Sequence, residues 1–423
     1  MDLTQLFRLM ADKHASDLFF SAGAPVYIKI EGDIRPVNQQ ILDHTIVKKI
    51  AYALMSEQQI ATFEATLEMN FGMSVPGLGR FRVNVFRQRG SVAMVIRYIS
   101  DAVPTLDALR LPTILSELVM HKRGLILVVG ATGSGKSTSL AAMIDHRNRH
   151  TTSHILAIED PIEFIHRHQR SIVNQREVGI DTQSYAAALV NALREAPDVL
   201  LIGEIRDQDT MRQAMIYTQT GHLCLATLHA NNAYHAMNRI IGFFPAQAQE
   251  GLLLDLAMSL RAVVSQRLVR GVDGKRVAAV EVLINNMHIS ELIQRREIDK
   301  IKDAMEQSML EGSQTFEESL LDLFLAGTIT KEEALTNADS RTNIEWLLAN
   351  SSKHQEKRAK QKQSFKVEDK VVEDADEGMP SLLSMDDLAT IGIAAAKRCI
   401  KAPLSEEMNE KTGFRPVFCF ALS

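Results

Sequence analysis

The residues with the clearest chemical meaning form one glycine-rich segment, Gly130-Ala-Thr-Gly-Ser-Gly-Lys-Ser137, which matches the phosphate-binding pattern G-x-x-x-x-G-K-[ST] in full. In this pattern, loop amides and a helix N-terminus direct N–H donors and partial positive charge at phosphate oxygens. Lys136 is expected to reach the terminal phosphates, and Ser137 to bind Mg²⁺. We therefore predict a nucleoside triphosphate site whose binding residues are Gly130, Thr132, Gly133, Ser134, Gly135, Lys136, Ser137 and Thr138.

The surrounding pattern supplies the elements that must position this loop. An apolar run over residues 125–129 predicts a buried strand before it, and residues 137–148 predict a helix after it. The alternative is a glycine-rich turn between a strand and a helix without a ligand. From residue 124 to about 286 apolar strands alternate with helices, which predicts an α/β fold with a parallel sheet covered on both sides. The strands that matter for chemistry are expected at residues 125–129, 155–158, 199–202 and 223–228.

Ligands of such sheets bind outside the carboxyl ends of the strands, so these ends are expected to converge on one crevice. The second strand ends in Glu159-Asp-Pro-Ile-Glu163, which offers a metal ligand and a base that orients the attacking water. We assign the base to Glu163. The alternative for this acidic segment is a solvated turn or a helix cap.

The third and fourth strands also end in groups able to act on a nucleotide. The third ends in Gly203-Glu204, and the carboxylate is expected to hold Mg²⁺ directly or through water. His222 and His229 flank the fourth strand on opposite faces, and only His229 lies at the carboxyl end. We therefore expect His229 to contact the γ-phosphate, and His222 to tie the strand to a neighbour.

Composition sets limits on the kind of protein. With 423 residues, 46% hydrophobic and 23% charged, the chain is long enough for two or three globular domains. The net charge of −5 gives no reason to expect a nucleic-acid partner. We find no apolar run long enough for a transmembrane segment and no signal peptide, so we expect a cytoplasmic protein unless a partner holds it at a membrane. Three cysteines exclude a four-cysteine zinc site.

We divide the chain at changes of pattern. Residues 1–100 are predicted to form an α+β domain, 101–112 a linker with two prolines, and 113–286 the nucleotide domain. Residues 287–350 are predicted to form short helices, around 301–309, 316–325 and 331–335, that pack on the nucleotide domain or offer a binding surface. Residues 351–423 change from basic to acidic composition and are expected to be mostly disordered.

The predicted crevice is short of positive charge. Lys136 and one Mg²⁺ only partly offset the charge of a transferring phosphoryl group, and related enzymes add an arginine. The nearby Arg206 and Arg239 are expected to form ordinary salt bridges. Arg82 and Arg97, on two strands of the first domain, are therefore candidates to complete the site from a neighbouring subunit. The alternative is that they are solvated on an open sheet face.

The set of motifs resembles the type IV pilus retraction ATPases, the PilT/PilU family, over about residues 1 to 350. The segments that carry the resemblance are Phe81-Arg-Val-Asn-Val-Phe-Arg-Gln-Arg-Gly90, the loop at Gly130, Ile158-Glu-Asp-Pro-Ile-Glu163, Arg194-Glu-Ala-Pro-Asp198, Gly203-Glu204 and Thr220-Gly-His-Leu-Cys-Leu-Ala-Thr-Leu-His-Ala230.

The resemblance implies a homohexameric ring of RecA-like ATPase domains, each with a PAS-like N-terminal domain and a helical C-terminal extension. The ring would bind ATP and Mg²⁺ and sit under an inner-membrane pilus platform protein. In that family, residues 159–163 form the Asp box with Glu163 as base, Glu204 belongs to the Walker B segment, and His222 and His229 to the His box. Arg82 and Arg97 match the arginines that reach the neighbour's nucleotide.

One segment departs from the main retraction motors. Their A-I-R-N-L-I-R-E segment corresponds here to Met287-His-Ile-Ser-Glu-Leu-Ile-Gln294, and Leu223-Cys-Leu-Ala-Thr-Leu-His-Ala-Asn-Asn232 is similar to the PilU branch. Two functions stay open: a motor that drives or assists pilus retraction and twitching motility, and an accessory ring that supports a sister retraction ATPase with little force of its own.

Overall fold

The computed structural model describes residues 3–13, 15–30, 32–99, 102–307 and 312–351. The tail expected at residues 351–423 lies outside the described residues, apart from residue 351. The helices are α1 Leu3–Asp12, α2 His44–Leu54, α3 Glu57–Thr66, α4 Ile114–Leu118, α5 Lys136–His150, α6 Tyr185–Ala192, α7 Gln208–Gln219, α8 Ala233–Gly242, α9 Gln249–Ser259, α10 Met287–Gln294, α11 Ile301–Gln307, α12 Phe316–Leu325, α13 Lys331–Asn337 and α14 Arg341–Ala349.

The strands form two sheets, and their bounds follow in chain order. They are β1 Asp17–Phe20, β2 Tyr27–Ile30, β3 Asp33–Pro36, β4 Glu68–Val75, β5 Gly79–Gln88, β6 Ser91–Ile99, β7 Gly124–Val129, β8 His154–Glu159, β9 Ile172–Glu177, β10 Val199–Ile202, β11 Leu223–Leu228, β12 Leu260–Arg270 and β13 Arg276–Ile284.

The first sheet is antiparallel, in the order β3-β2-β1-β6-β5-β4. Alternation along β5 decides its two faces: Phe81, Val83 and Val85 are buried in a core shared with α1, α2 and α3, while Arg82 and Asn84 lie on the other face. Helix α3 begins at a capping box formed by Ser56 and Gln59.

The second sheet has the order β13-β12-β7-β11-β10-β8-β9. Its four predicted strands are confirmed as β7, β8, β10 and β11, and they are parallel to each other. The expectation of a wholly parallel sheet is wrong at one edge, because β13 runs antiparallel to β12. The two form a hairpin whose β12 pairs in parallel with β7, so the hairpin extends the central sheet next to the phosphate loop.

Helices cover both faces of this sheet because its central strands are apolar on both sides. Leu125, Leu127 and Val129 of β7 pack in one core with α6 to α11, and Ile126 and Val128 pack in another with α4 and α5. The sequence patterns located no strand at β4, β9, β12 or β13. Strand β9, with the sequence Ile-Val-Asn-Gln-Arg-Glu, is a sheet edge and lacks the apolar run by which the other strands were found.

The C-terminal helices pack on the hairpin. Helix α12 has the predicted bounds and begins at a capping box formed by Thr315 and Glu318. Its residues Phe316, Leu320 and Leu321 share a core with Val269 of β12 and Ile344 of α14. Across the described ranges, no helix has the length and apolar content that crossing a bilayer requires.

A buried carboxylate joins the hairpin to α8. Glu281 of β13 is 4% exposed, and its Oε1 atom accepts hydrogen bonds from the Ala233 amide and the Ser265 hydroxyl, both at 2.8 Å. Burial raises the pKa of Glu281 to about 7, although both hydrogen bonds oppose the shift. The folded protein therefore holds a proton that the unfolded chain releases near the ordinary pKa of 4.5.

Replacing Glu281 with glutamine should remove part of the pH dependence of stability. Between pH 4.5 and about 7, the folded state binds more protons at this site than the unfolded state, so wild-type stability falls as pH rises. At pH 8 we expect the free energy of unfolding of Glu281→Gln to exceed that of wild type by up to roughly 3 kcal/mol, since each pKa unit corresponds to about 1.4 kcal/mol. The advantage should vanish at about pH 3.5 and below, where the carboxyl group is protonated in both states.

Urea unfolding followed by circular dichroism at the two pH values gives the comparison. Glu345→Gln, at a carboxylate whose side chain is 51% exposed, is the control and should show no such pH-dependent difference. A Glu281→Gln curve that shifts equally at both pH values would contradict the raised pKa.

Candidate nucleotide site

The loop between β7 and α5 is packed so tightly that two of its positions require glycine. A Cβ atom on Gly130 would lie 2.4 Å from the Ser134 Oγ and 2.5 Å from the carbonyl oxygen of Gln266. Gly135, the N-cap of α5, has a φ of 89°, which favours glycine, and a Cβ there would lie 2.8 Å from the Gln266 Nε2. Gln266 of β12 also accepts a hydrogen bond from the Ser139 hydroxyl at 2.7 Å. Strand β12 therefore fixes the loop from behind.

The loop presents donors whose chemistry suits phosphate. The Lys136 ammonium donates to the carbonyl oxygens of Gly130, at 2.8 Å, and Ala131, at 2.9 Å, which leaves one of its three protons for a ligand. The Ser134 hydroxyl is buried without a hydrogen-bond partner among the described residues. This hydroxyl and the amides at the N-terminus of α5 are hydrogen-bond donors, and a phosphate oxygen would serve as their acceptor.

Two carboxylates lie close enough to Lys136 to act on its charge, as their strand positions predicted. Desolvation lowers the pKa of Lys136, and the negative charges of Glu204 and Glu163 oppose that shift. Glu163 is exposed, and its backbone amide donates to the carboxylate of Glu159. Burial raises the pKa of Glu159 to about 7. Glu159 is thus an acid of the site with a raised pKa, and its sequence position alone indicated no separate role for it.

Glu204 is the centre of an ionic network that follows β10. Its Oε2 accepts from the Arg206 Nε at 2.7 Å, and its Oε1 lies 3.2 Å from the His229 Nε2. Arg206 also lies 3.5 Å from the Asp160 carboxylate. The two strand ends therefore share one guanidinium group, and the salt-bridge role expected for Arg206 is confirmed.

The two histidines differ as their positions suggested. Desolvation and the positive charge of Lys136 lower the pKa of His229, despite Glu204, so the ring is neutral at pH 7 and can donate or accept one hydrogen bond. The His222 Nδ1 lies 3.0 Å from the Thr220 hydroxyl and 3.2 Å from the Tyr217 carbonyl. His222 thus ties the start of β11 to the end of α7, away from the loop.

Ser137 lies beside the end of β10, where Glu204 follows. It lines a small cavity of about 30 Å³ together with Gly203, Glu159 and Thr227. No three His, Cys, Asp or Glu side chains gather to hold an ion within the described part of the chain. That arrangement fits Mg²⁺, which binds proteins through one or two side chains and takes its other ligands from water and substrate phosphates.

A larger cavity of about 620 Å³ opens on the other side of the loop, and the sequence gave no sign of it. Loop residues Gly135 and Thr138 form its floor. Its walls come from residues 108–111 of the linker, from residues 272–278 at the tip of the hairpin, and from residues 326–328 after α12. With Leu109, Leu268 and Val277 on apolar walls and Arg110, Asp273 and Lys275 among the polar groups, it has the size and mixed lining of a small-molecule site.

The two candidate arginines lie side by side on the first domain, because Arg82 and Arg97 are cross-strand partners of β5 and β6. The Arg97 Nε donates to the Asp17 carboxylate at 2.8 Å, and the charge of Arg82 acts on Glu177 at the end of β9. Within one chain, both arginines thus face carboxylates and not the phosphate loop. The salt bridge expected for Arg239 is wrong. Its guanidinium group lies over the ring of Phe243, 5.9 Å from the ring centroid.

The fold and the loop together define a RecA-like P-loop ATPase. The family described as Type II/IV secretion system protein matches residues 2–364. The solved structure of the pilus retraction motor PilT with bound ADP superposes with a TM-score of 0.76 at 40% identity, and the match covers 82% of this chain and 99% of that one. The RecA-like domain with a PAS-like N-terminal α+β domain and a helical C-terminal extension is therefore confirmed.

Two relatives from Pseudomonas aeruginosa place the chain within that family. The type IV pilus ATPase PilU is 49% identical over 349 residues, which covers 82% of this chain and 91% of PilU. The type IV pilus retraction ATPase PilT is 41% identical over 344 residues, which covers 81% of this chain and all of PilT. The chain belongs to the PilT/PilU ATPases of the type II/IV secretion system family, and the resemblance drawn from its motifs is confirmed.

Two glycine substitutions in the loop should differ sharply. Gly130→Ala places a methyl group against the Gln266 backbone, so we expect nucleotide affinity to fall by more than about 100-fold. Gly133→Ala meets no atom within 4 Å and strains only the backbone, at φ 78°, by about 1–2 kcal/mol, so its affinity should fall by no more than about 30-fold. Titration with a fluorescent ATP analogue, after thermal unfolding has shown both variants folded, measures the difference. Equal losses would mean that loop packing does not set affinity.

Proposed function

We propose that this ATPase is a motor subunit of the type IV pilus machinery that drives or assists pilus retraction and twitching motility. The observation that carries the proposal is the meeting of Lys136, Glu163 and Glu204 at one strand-end crevice, in a chain similar to PilU and PilT over most of its length. We propose further that six copies form a ring that sits in the cytoplasm, under an inner-membrane pilus platform protein. The proposal includes no nucleic-acid partner, in keeping with the net charge of −5.

We assign ATP to the two cavities beside the loop. The phosphates would lie against the amides from Gly130 to Thr138, with Lys136 and Ser134 donating to their oxygens. The base and ribose would occupy the 620 Å³ cavity, whose apolar walls suit a flat ring and whose polar groups suit hydroxyls. The cavity thereby brings the interdomain linker and the C-terminal helices into contact with the nucleotide.

Each strand end would then have its own part in hydrolysis. Glu163 orients a water molecule and accepts its proton as the water attacks the γ-phosphorus. Ser137 and Glu204 are the residues that would hold Mg²⁺, which offsets phosphate charge when bound. His229, held 3.2 Å from Glu204 and neutral at pH 7, would report the presence of the γ-phosphate to the Glu204 network.

A second subunit would supply the missing positive charge. Glu204 and Glu163 lie near Lys136, Arg206 is already shared by Glu204 and Asp160, and the charge of Arg239 acts on His229. We propose that Arg82 and Arg97 reach the nucleotide of the neighbouring subunit, which would make each ATP a bridge between two subunits. Their contacts with Glu177 and Asp17 would be the resting partners that they leave.

A second function is favoured by α10. This helix, Met287–Gln294, occupies the position of the retraction segment of the main motors but has a different sequence, and its first residue Met287 is 82% exposed. Under this alternative, the chain forms an accessory ring on a sister retraction ATPase, and it contributes nucleotide-dependent binding more than force.

Variants of the catalytic residues should separate these functions. We expect Glu163→Gln to lower the rate of ATP hydrolysis by about 100-fold or more while ATP still binds, and Lys136→Ala to lose binding as well. If the chain is a motor, both variants should stop its share of pilus retraction in cells, measured as twitching speed and pilus number. If it is an accessory ring, Glu163→Gln should still support retraction by the sister ATPase and Lys136→Ala should not. Normal retraction with both variants would exclude both functions.

Subunit mixing tests the proposed position of Arg82. Arg82→Ala and Glu163→Gln should each be inactive alone, for lack of the arginine and of the base. When the two are mixed after dissociation, a site with the loop of one and the arginine of the other is intact, so about a quarter of the wild-type activity should return. Arg35→Ala, an exposed arginine of the same domain, should be active alone. Mixtures as inactive as their components would mean that Arg82 acts within its own chain.

A further inference from the structure

The segment that carries Glu163 has no regular secondary structure of its own. Residues 160–166 follow β8 as irregular backbone, and the Glu163 side chain is exposed, so burial in the core does not fix its direction. Ile162, which is 1% exposed, anchors the segment in the core. The remaining order must come from hydrogen bonds to its backbone, because irregular backbone beside a core has to satisfy its polar groups.

Gln175 of β9 provides most of these bonds. Its Nε2 donates to the Phe164 carbonyl at 2.8 Å and to the Glu159 Oε1 at 3.1 Å, and its Oε1 accepts from the His166 amide at 2.9 Å. A carboxamide can donate and accept at once, whereas neither a carboxylate nor an ammonium group can do both. One side chain thus holds the segment on the C-terminal side of Glu163 at two backbone positions.

Two carboxylates hold the segment at Glu163 itself and just before it. Glu159 accepts from the Glu163 amide, and Glu177 accepts from the Ile162 amide. These two residues are register partners at the ends of the parallel strands β8 and β9. Since Gln175 and Glu177 are two residues apart on one strand, they lie on the same face. We call Glu159, Gln175 and Glu177 the strand-end clamp.

Glu177 also faces the first domain. It is 2% exposed, its carboxylate lies 3.9 Å from the Arg80 guanidinium, and the charge of Arg82 acts on it as well. Gly72 of β4 leaves room for this arginine, since a Cβ there would lie 3.0 Å from the Arg80 Nη2. A buried carboxylate with so long an ion pair adds little to stability, because desolvation costs about as much as the pair returns. The role of Glu177 is therefore to position the groups that it contacts.

We propose that the strand-end clamp positions Glu163 for hydrolysis, and that Glu177 couples this position to the first domain through Arg80. The inference rests on the proposed role of Glu163 as the base. Gln175 and Glu177 are positioning residues that act through the backbone of residues 162–166 and do not touch substrate. A movement of the first domain that draws Arg80 away would free the Glu177 carboxylate to turn away from the Ile162 amide, and would thereby loosen the segment that carries Glu163.

Gln175→Glu tests the clamp, because the substitution keeps the acceptor and removes the donor at neutral pH. We expect kcat for ATP hydrolysis to fall about 10- to 100-fold at pH 8 while KM for ATP stays within about twofold, since loop contacts are untouched. The new carboxyl group would face Glu159, which raises its pKa above the ordinary value, and its protonation restores a donor, so the loss relative to wild type should shrink as pH falls to about 5. Asn174→Asp, the same change at the exposed neighbouring position of β9, should leave kcat and its pH profile unchanged.

A double-mutant cycle tests the link to the first domain. Glu177→Gln keeps an oxygen for the Ile162 amide but loses the attraction for Arg80, and Arg80→Met loses the same attraction from the other side. We expect each to lower kcat by about threefold to tenfold and the double variant to lose no more than one of them, because residues that act through one contact are not additive. Additive losses, or no loss in either single variant, would overturn the coupling.

Glu163→Gln in the same assay distinguishes a failure of the strand-end clamp from a failure of the base assignment. A slow Glu163→Gln with a fully active Gln175→Glu would overturn the clamp and leave the base assignment intact. A fully active Glu163→Gln would overturn both. All variants are measured as the full chain, with urea unfolding beside the kinetics, so that a loss of kcat at unchanged stability identifies positioning.

Discussion

The chemistry of this protein depends on one partly desolvated ammonium group. Lys136 lies 9% exposed at the start of α5 and is held by two carbonyl oxygens of its own loop. Burial lowers the pKa of Lys136, and the negative charges of Glu204 and Glu163 offset only part of that shift. This ammonium group donates two of its protons to carbonyl oxygens and keeps the third as a donor for an anionic ligand. The sheet, the loop and the hairpin that backs the loop at Gln266 all serve to place this one group.

The same balance of charges explains why the crevice needs positive charge beyond that of its own side chains. Its carboxylates outnumber its cations, and Arg206 is divided between Glu204 and Asp160. A bound nucleotide would add more negative charge, so the site needs both a metal ion and charge from another surface. The first domain has arginines on an open sheet face at β5 and β6, held for the present by carboxylates of the same chain. The arginines that we propose to reach a neighbouring subunit's nucleotide would supply that charge.

The proposed base, Glu163, presents a different physical problem, because it lies on irregular backbone. Side chains of neighbouring strands supply what secondary structure does not, and Gln175 alone satisfies two backbone groups. A segment held in this way is ordered only while its clamp is intact. Since Glu177 serves both that clamp and the first domain, domain position and catalytic geometry share one buried carboxylate. Binding at one place can then be felt at the other without any change in the fold of either domain.

The sequence by itself determined the phosphate loop, the four apolar strands, the acids that follow them and the first domain's arginine face. Each of these rests on a local pattern: a glycine spacing, an apolar run, or alternation along one strand. Only the tertiary structure decided the rest. Strand β9 is polar and gains its place by pairing at an edge, β13 reverses direction, and the large cavity is built from three segments far apart in the chain. Gln175 and Glu177 act on backbone groups of another segment, and a side chain whose partner is a distant backbone amide leaves no periodicity in the sequence.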